Sequence, residues 1–133
     1  MILAVCVDDK NGMMFNRRRQ SRDRAQQADL LDWCGGRTLW VAPYSAPLFP
    51  DGARVDDAFL DKAAEGEVCF VEDRSVNAVA DRVEAVVLYR WNRTYPADLR
   101  FDLDLSGFRL ESASEFAGSS HENITREIYR RKE

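Results

Sequence analysis

A single histidine, His121, stands in this chain of 133 residues. That scarcity excludes a zinc-dependent nuclease of the histidine-rich kind, whose metal needs several imidazoles. Cysteine is scarce as well. Cys6, Cys34 and Cys69 are odd in number, far apart and without a C-x-x-C pair, so they encode neither a disulfide framework nor a metal knuckle. Each lies in an apolar setting, where a buried thiol is expected, and a cytoplasmic home follows. No apolar run approaches the ~20 residues of a membrane span. The apolar stretch at residues 2–7 is too short for a secretory signal core and lacks a basic start. Positive charge is not in excess: 19 Lys and Arg face 23 Asp and Glu, for a net charge of −4. A general nucleic-acid binder leans the other way. Membranes and nucleic acids are therefore not the expected partners.

What is present suits one globular α/β domain over residues 1–133. Hydrophobic residues make up 45% and charged residues 32% of the chain, an ordinary balance for a packed core. Residues 2–7, Ile-Leu-Ala-Val-Cys-Val, are apolar on both faces, as a central parallel strand covered by helices requires. Asp8 to Gly12 stop it, and residues 13–19 read as an irregular loop. Ser21 is a candidate N-cap for a helix that carries Ala25, Ala28, Leu30, Leu31, Trp33 and Cys34 at helical spacing and ends at Gly35-Gly36. Residues 38–42 read as a second strand. Pro43, Pro47 and Pro50 forbid a long helix next. Asp56 begins a short helix through Ala64, residues 68–71 form a third strand, residues 73–82 another short helix, and residues 83–89 a fourth strand. This alternation predicts a mainly parallel sheet with right-handed crossovers. The tail changes to period two, with Phe108, Leu110 and Ser112, then Ile124, Arg126, Ile128 and Arg130, joined by residues 117–120. That is an antiparallel hairpin, whose edge offers a dimer contact unless it is covered.

The tail also carries a family likeness. Asp98-Leu-Arg-Phe101, Gly107-Phe108-Arg-Leu-Glu-Ser112, Ser114-Glu115-Phe116, Ser120-His121, Glu127-Ile128 and Arg130-Arg131 fall in the order and spacing found near the C-terminus of bacterial dihydrofolate reductases. The first strand running into Gly12-Met13 agrees with the same family. The chain therefore resembles a divergent, shortened dihydrofolate reductase. The resemblance implies a three-layer fold with a mainly parallel sheet and an antiparallel C-terminal hairpin.

A reductase of this family needs a pocket carboxylate and a cradle for NADPH, whose own chemistry supplies the hydride. Asp23 is the nearest match to the carboxylate counted from Gly12, although counting back from the second strand lands on Gln26. An acid there also serves simply to complement a helix dipole. Tyr89 replaces the threonine that partners the family's acid. The cradle departs further. The family's Gly-Gly after the third strand is here Glu72-Asp73, placing bulk and negative charge where backbone should meet a pyrophosphate. The family's Gly-Arg-x-Thr is Ala42-Pro43-Tyr44-Ser45. No strand is evident between residues 46 and 55, where the family inserts one beside the adenine. No cofactor is expected on this reading; NADPH or a flavin, with a pterin-like substrate, enters only under the alternative of an active reductase.

Arg17, Arg18 and Arg19 are the densest charge feature. They read either as a solvated loop or as a grip on a small anionic ligand. Met13, Met14 and Phe15 form a flexible apolar lid or tuck beneath the loop, and Tyr89 and Trp91 lie where they could line the same cleft. Asp8 and Asp9 could hold Mg²⁺ loosely, but turn roles are commoner and no metal is expected. His121 with Ser119, Ser120 and Glu122 suggests a triad. Adjacent residues on a strand point to opposite faces and cannot converge, so a structural role at a strand end is expected.

Overall fold

A computed structural model describes all 133 residues. The central sheet has seven strands: β1 (Ile2–Val7), β4 (Leu39–Val41), β5 (Arg54–Val55), β6 (Val68–Phe70), β7 (Ala85–Arg90), β9 (Phe108–Phe116) and β10 (Ile124–Arg131), in the order β5-β4-β6-β1-β7-β10-β9. The first five in that order run parallel, and β10 and β9 are antiparallel. β1 sits at the centre because its residues are apolar on both sides. Ile2 and Ala4 join one core, with Leu30 and Cys34 of helix α1 (Arg24–Cys34). Leu3, Val5 and Val7 join the other, with Phe59 and Leu60 of helix α2 (Phe59–Lys62). Two cores on opposite faces give the three layers expected. No helix is long and apolar enough to cross a membrane.

Three local expectations are corrected. Helix α1 is capped by Asp23 rather than Ser21: its carboxylate accepts from the amides of Ala25 and Gln26. A two-residue strand, β5, does pair with Trp40 and Val41 at the far edge of the sheet, in the stretch where no strand was evident. Residues 13–19 are not an irregular loop. They form β2 (Gly12–Phe15) and β3 (Arg18–Arg19), which with β8 (Leu99–Arg100) make a second sheet of three strands. The turn between β2 and β3 holds Asn16 and Arg17 at φ 54° and 61°, the two consecutive positive values that a tight twisted hairpin demands. Asparagine tolerates that region and arginine does so less readily.

Candidate functional site

The parallel strands β1, β6 and β7 all end at one edge, the place where open α/β sheets hold ligands. Three carboxylates stand there, Asp8, Asp23 and Glu72, all buried. Each is engaged by the protein itself. Asp8 Oδ1 accepts from the amides of Gly12 (2.7 Å) and Lys10 (2.9 Å), and Oδ2 from the amide of Tyr95 (3.0 Å) and Gln20 Nε2 (3.2 Å). Burial works against its charge, but these donors outweigh burial and hold the acid below its ordinary range. Asp8 is thus the pin joining the strand end to residues 10–12, 20 and 95.

Asp23 lies at the start of α1 with 1% of its surface exposed. Beyond its two cap bonds, Oδ1 accepts from the Ser119 amide (3.0 Å) and hydroxyl (3.2 Å), and Oδ2 from the Ser120 amide (2.8 Å). His121 Nδ1 completes the set at 2.9 Å from Oδ2. Burial opposes the ionised form here too, yet the amides of Ser119 and Ser120 and the imidazole keep Asp23 far below the usual carboxylate range. A carboxylate so enclosed lines no cleft. Gln26, the other match to the family's acid, is also buried, and its Nε2 has no partner.

His121 is not on a strand. It lies in the connection between β9 and β10, so the alternation argument does not apply to it. Its ring stacks on Trp91 with centroids 4.4 Å apart and planes at 15°. Its Nε2 faces Ser21 Oγ at 3.0 Å and Tyr95 Oη at 3.2 Å. Ser119 and Ser120 hold Asp23 rather than His121.

Glu72 follows β6, at the position of the family's Gly-Gly. It is 8% exposed and is not a bare negative charge. Arg19 reaches across from β3 and binds it through both Nε and Nη2 (2.9 and 3.0 Å), while Ser45 Oγ donates at 2.7 Å. The Arg19 guanidinium lies 4.6 Å from the centroid of the Tyr44 ring, and its backbone amide donates to the Tyr44 hydroxyl at 2.9 Å. Asp73 is bonded to Arg74. A pyrophosphate approaching as the resemblance implies would meet the Glu72 side chain and a guanidinium already engaged.

Of the residues singled out in the sequence, Met13 and Met14 lie on β2 and are buried. Tyr89 is fully buried; its hydroxyl donates to Asp29 at 2.7 Å, and Asp29 is clasped by Arg126. Trp91 is buried against His121. Phe15, Arg17 and Arg18 are exposed and Arg19 is half-buried. A cavity of about 540 Å³ brings together Phe15, Asn16, Arg18, Arg19, Gln20, Tyr95 and Pro96; Arg17 is not in its lining. In the sequence Gln20 and Tyr95 carry no functional reading, and Ser21 carries only that of a helix cap. Nothing local marks them, because their partners are Asp8 and His121, far along the chain.

No family model matches the sequence, and no curated protein matches it. Among solved structures, the dihydrofolate reductase from Enterococcus faecalis, complexed with NADP(H) and RAB-propyl, superposes with a TM-score of 0.71 at 13% identity, covering 100% of this chain and 97% of that one. The mainly parallel sheet with its antiparallel C-terminal hairpin, superposing over nearly the full length of both chains, is a dihydrofolate reductase-like fold.

Proposed function

We propose that this domain binds a small anionic molecule in the cavity between the β2–β3 hairpin and residues 95–96, and does not use NADPH. The observation that carries the reading is the lining itself. Arg18 has no ion-pair partner, Arg19 lines the cavity while paired with Glu72, and Phe15 and Tyr95 supply aromatic surface beside them. Guanidinium groups grip phosphate or carboxylate in a planar fork, and the rings favour a ligand with a flat apolar part. The buried Arg19–Glu72 pair supports the second half of the proposal, since it occupies the bend where a dinucleotide would have to lie. A reductase of a pterin-like substrate, with Asp23 as its acid, is supported by fold likeness alone, and a fold hosts many functions.

Titration calorimetry with phenyl phosphate tests the reading, since that ligand joins a ring to a dianion. Binding is expected, and Arg18→Gln should weaken it by about tenfold, the loss of roughly 1.4 kcal/mol. Millimolar NADPH should leave Tm where it is, because a ligand that binds only the folded state must raise it. No heat with phenyl phosphate, inorganic phosphate or pyrophosphate overturns the first claim; a clear Tm rise with NADPH overturns the second.

A further inference from the structure

The side chains of Asp23, His121 and Ser21 stand in line. Asp23 Oδ2 is 2.9 Å from His121 Nδ1, and His121 Nε2 is 3.0 Å from Ser21 Oγ. We propose that Ser21 is a nucleophile activated by His121, and that the domain hydrolyses a small ester whose acyl or alcohol part is anionic. The identity of the charged part rests on the anion cavity proposed above; the nucleophile does not.

The tautomer follows from the neighbours. Asp23 is an ionised acceptor held by amides on both oxygens, so the proton of a neutral ring sits on Nδ1, pointing at it. Nε2 is then bare. Two hydroxyls face it, Ser21 and Tyr95, and one in-plane lone pair accepts well from one of them at a time. Trp91 covers the ring and fixes its plane. A buried carboxylate that orients a histidine, whose far nitrogen faces a hydroxyl, is the arrangement that turns serine into a nucleophile, whatever the fold.

Burial is graded in the direction this chemistry needs. Asp23 and His121 are sealed, with side chains 0% and 2% exposed, whereas Ser21 is half-exposed. Ser21 is thus the most exposed of the three residues. Ser21 directly follows Gln20, and Gln20 and Tyr95 both line the 540 Å³ cavity, so the cluster borders the place where Arg18 and Arg19 would hold a charged group. The backbone amides of Ser21 and Arg22 donate to no backbone carbonyl and are free to meet an oxyanion. A purely structural histidine is already accounted for by its Nδ1 bond, since the Ser119 and Ser120 amides tie the same loop to Asp23. The pair of hydroxyls on Nε2 is surplus to that tie.

The steps balance. As Ser21 Oγ bonds to the acyl carbon, its proton passes to His121 Nε2, and Asp23 stabilises the imidazolium. The ester C–O bond breaks and Nε2 returns the proton to the leaving oxygen, releasing the alcohol. Water then attacks the acyl carbon and gives a proton to Nε2. The bond to Oγ breaks, Oγ takes that proton back, and the carboxylic acid departs. The sum is ester plus water giving acid plus alcohol.

Incubation of the full chain with a fluorophosphonate, followed by peptide mass mapping, tests the nucleophile, and turnover of p-nitrophenyl acetate tests the hydrolysis. One adduct is expected, on Ser21. Ser21→Ala should abolish both labelling and turnover with Tm nearly unchanged, since it removes one half-exposed hydroxyl. His121→Gln should slow labelling on the order of 100-fold. If that variant does not fold, Tyr95→Phe serves instead: removing the competing hydroxyl should speed labelling of Ser21. No adduct at Ser21, or equal turnover by the wild-type chain and Ser21→Ala, overturns the proposal. Phenyl phosphate binding measured on Ser21→Ala separates the two readings. Binding without any labelling of the wild type sinks the nucleophile alone, and labelling without binding sinks the anion cavity alone.

Discussion

Replacing Asp23 by Asn tests how this edge of the sheet is held together. The carboxylate receives the Ala25 and Gln26 amides and the Ser119 amide and hydroxyl on Oδ1, and the Ser120 amide and His121 on Oδ2. An asparagine offers one oxygen and one NH₂. With its oxygen at the Oδ1 position the helix cap and Ser119 survive, but the new NH₂ confronts the Ser120 N–H and the His121 Nδ1–H, donor against donor. The imidazole can escape by shifting its proton to Nε2 and donating to Ser21 or Tyr95. The Ser120 amide cannot escape. One buried amide left unpaired costs about 1–3 kcal/mol, and losing the charge on the remaining bonds costs about as much again. A loss of about 3–5 kcal/mol is expected near pH 7, a large share of the roughly 7–20 kcal/mol typical of a chain this long.

The pH dependence sharpens the test. Asp23 has a native pKa depressed below its unfolded value of about 3.9. A depressed acid contributes stability that is present above the unfolded value and is lost as pH falls towards the native one. Asparagine has no such contribution. Urea unfolding of both chains near pH 7, pH 5 and pH 3.5 should therefore show a constant gap between the first two and a narrowing gap at the last. A loss under about 1 kcal/mol at neutral pH, or a gap that stays constant into acid, refutes the reasoning.

Gly118→Ala should act on the same cluster, since a Cβ there would sit 2.5 Å from Asp23 Oδ2 and 2.7 Å from the His121 carbonyl oxygen; a loss of about 2–4 kcal/mol, seen as a lower Tm, is expected, and an unchanged Tm counts against the packing described. Burial pushes the thiols of Cys34 and Cys69 up to about 11 and about 12 and that of Cys6 well above its ordinary value, so none should react with a disulfide reagent near pH 8 until the chain is unfolded. Tyr89→Phe removes the hydroxyl donated to Asp29 and should cost about 1–2 kcal/mol in urea unfolding with an unchanged slope; a neutral result would place Asp29 wholly in the care of Arg126.

The sheet's centre was legible because burial on both faces leaves an uninterrupted apolar run, as in residues 2–7 and 85–89. The tail was legible from its period-two pattern and the small turn residues between its halves, although only Phe108, Ile124 and Ile128 of the two strands are buried, and Gly35, at φ 56°, marked the end of α1 as glycine does. The elements missed are the shortest. β3, β5 and β8 have two residues each, too few for any period to show. The site was legible by residue type only. Glu72 was recognisable as a carboxylate in place of glycine, but its neutralisation by Arg19 spans 53 residues of sequence. The bonds that gather Asp23, His121 and Ser21 span 98 and 100 residues. Placing His121 on a strand hid them, because the connection before β10 is free to turn the ring back towards the helix start, and no pattern in the sequence announces that turn.

The Arg19–Glu72 pair decides how tightly the cavity can hold an anion. A ligand that competes for Arg19 draws the guanidinium away from Glu72, and a buried carboxylate deprived of its partner is costly. An anion also enters a field to which Glu72 contributes a negative charge; two unit charges near 4 Å interact by about 4 kcal/mol in partly screened surroundings. Both effects oppose binding, and both vanish if the residue is neutral. Glu72→Gln keeps the shape and the Ser45 contact while freeing Arg19, so phenyl phosphate should bind about tenfold more tightly or better, the equivalent of roughly 1.4 kcal/mol. Arg19→Gln in the same background should abolish the gain. If Glu72→Gln binds no better than the wild-type chain, Arg19 does not serve the cavity, and its role is confined to closing the edge of the sheet where the carboxylates stand.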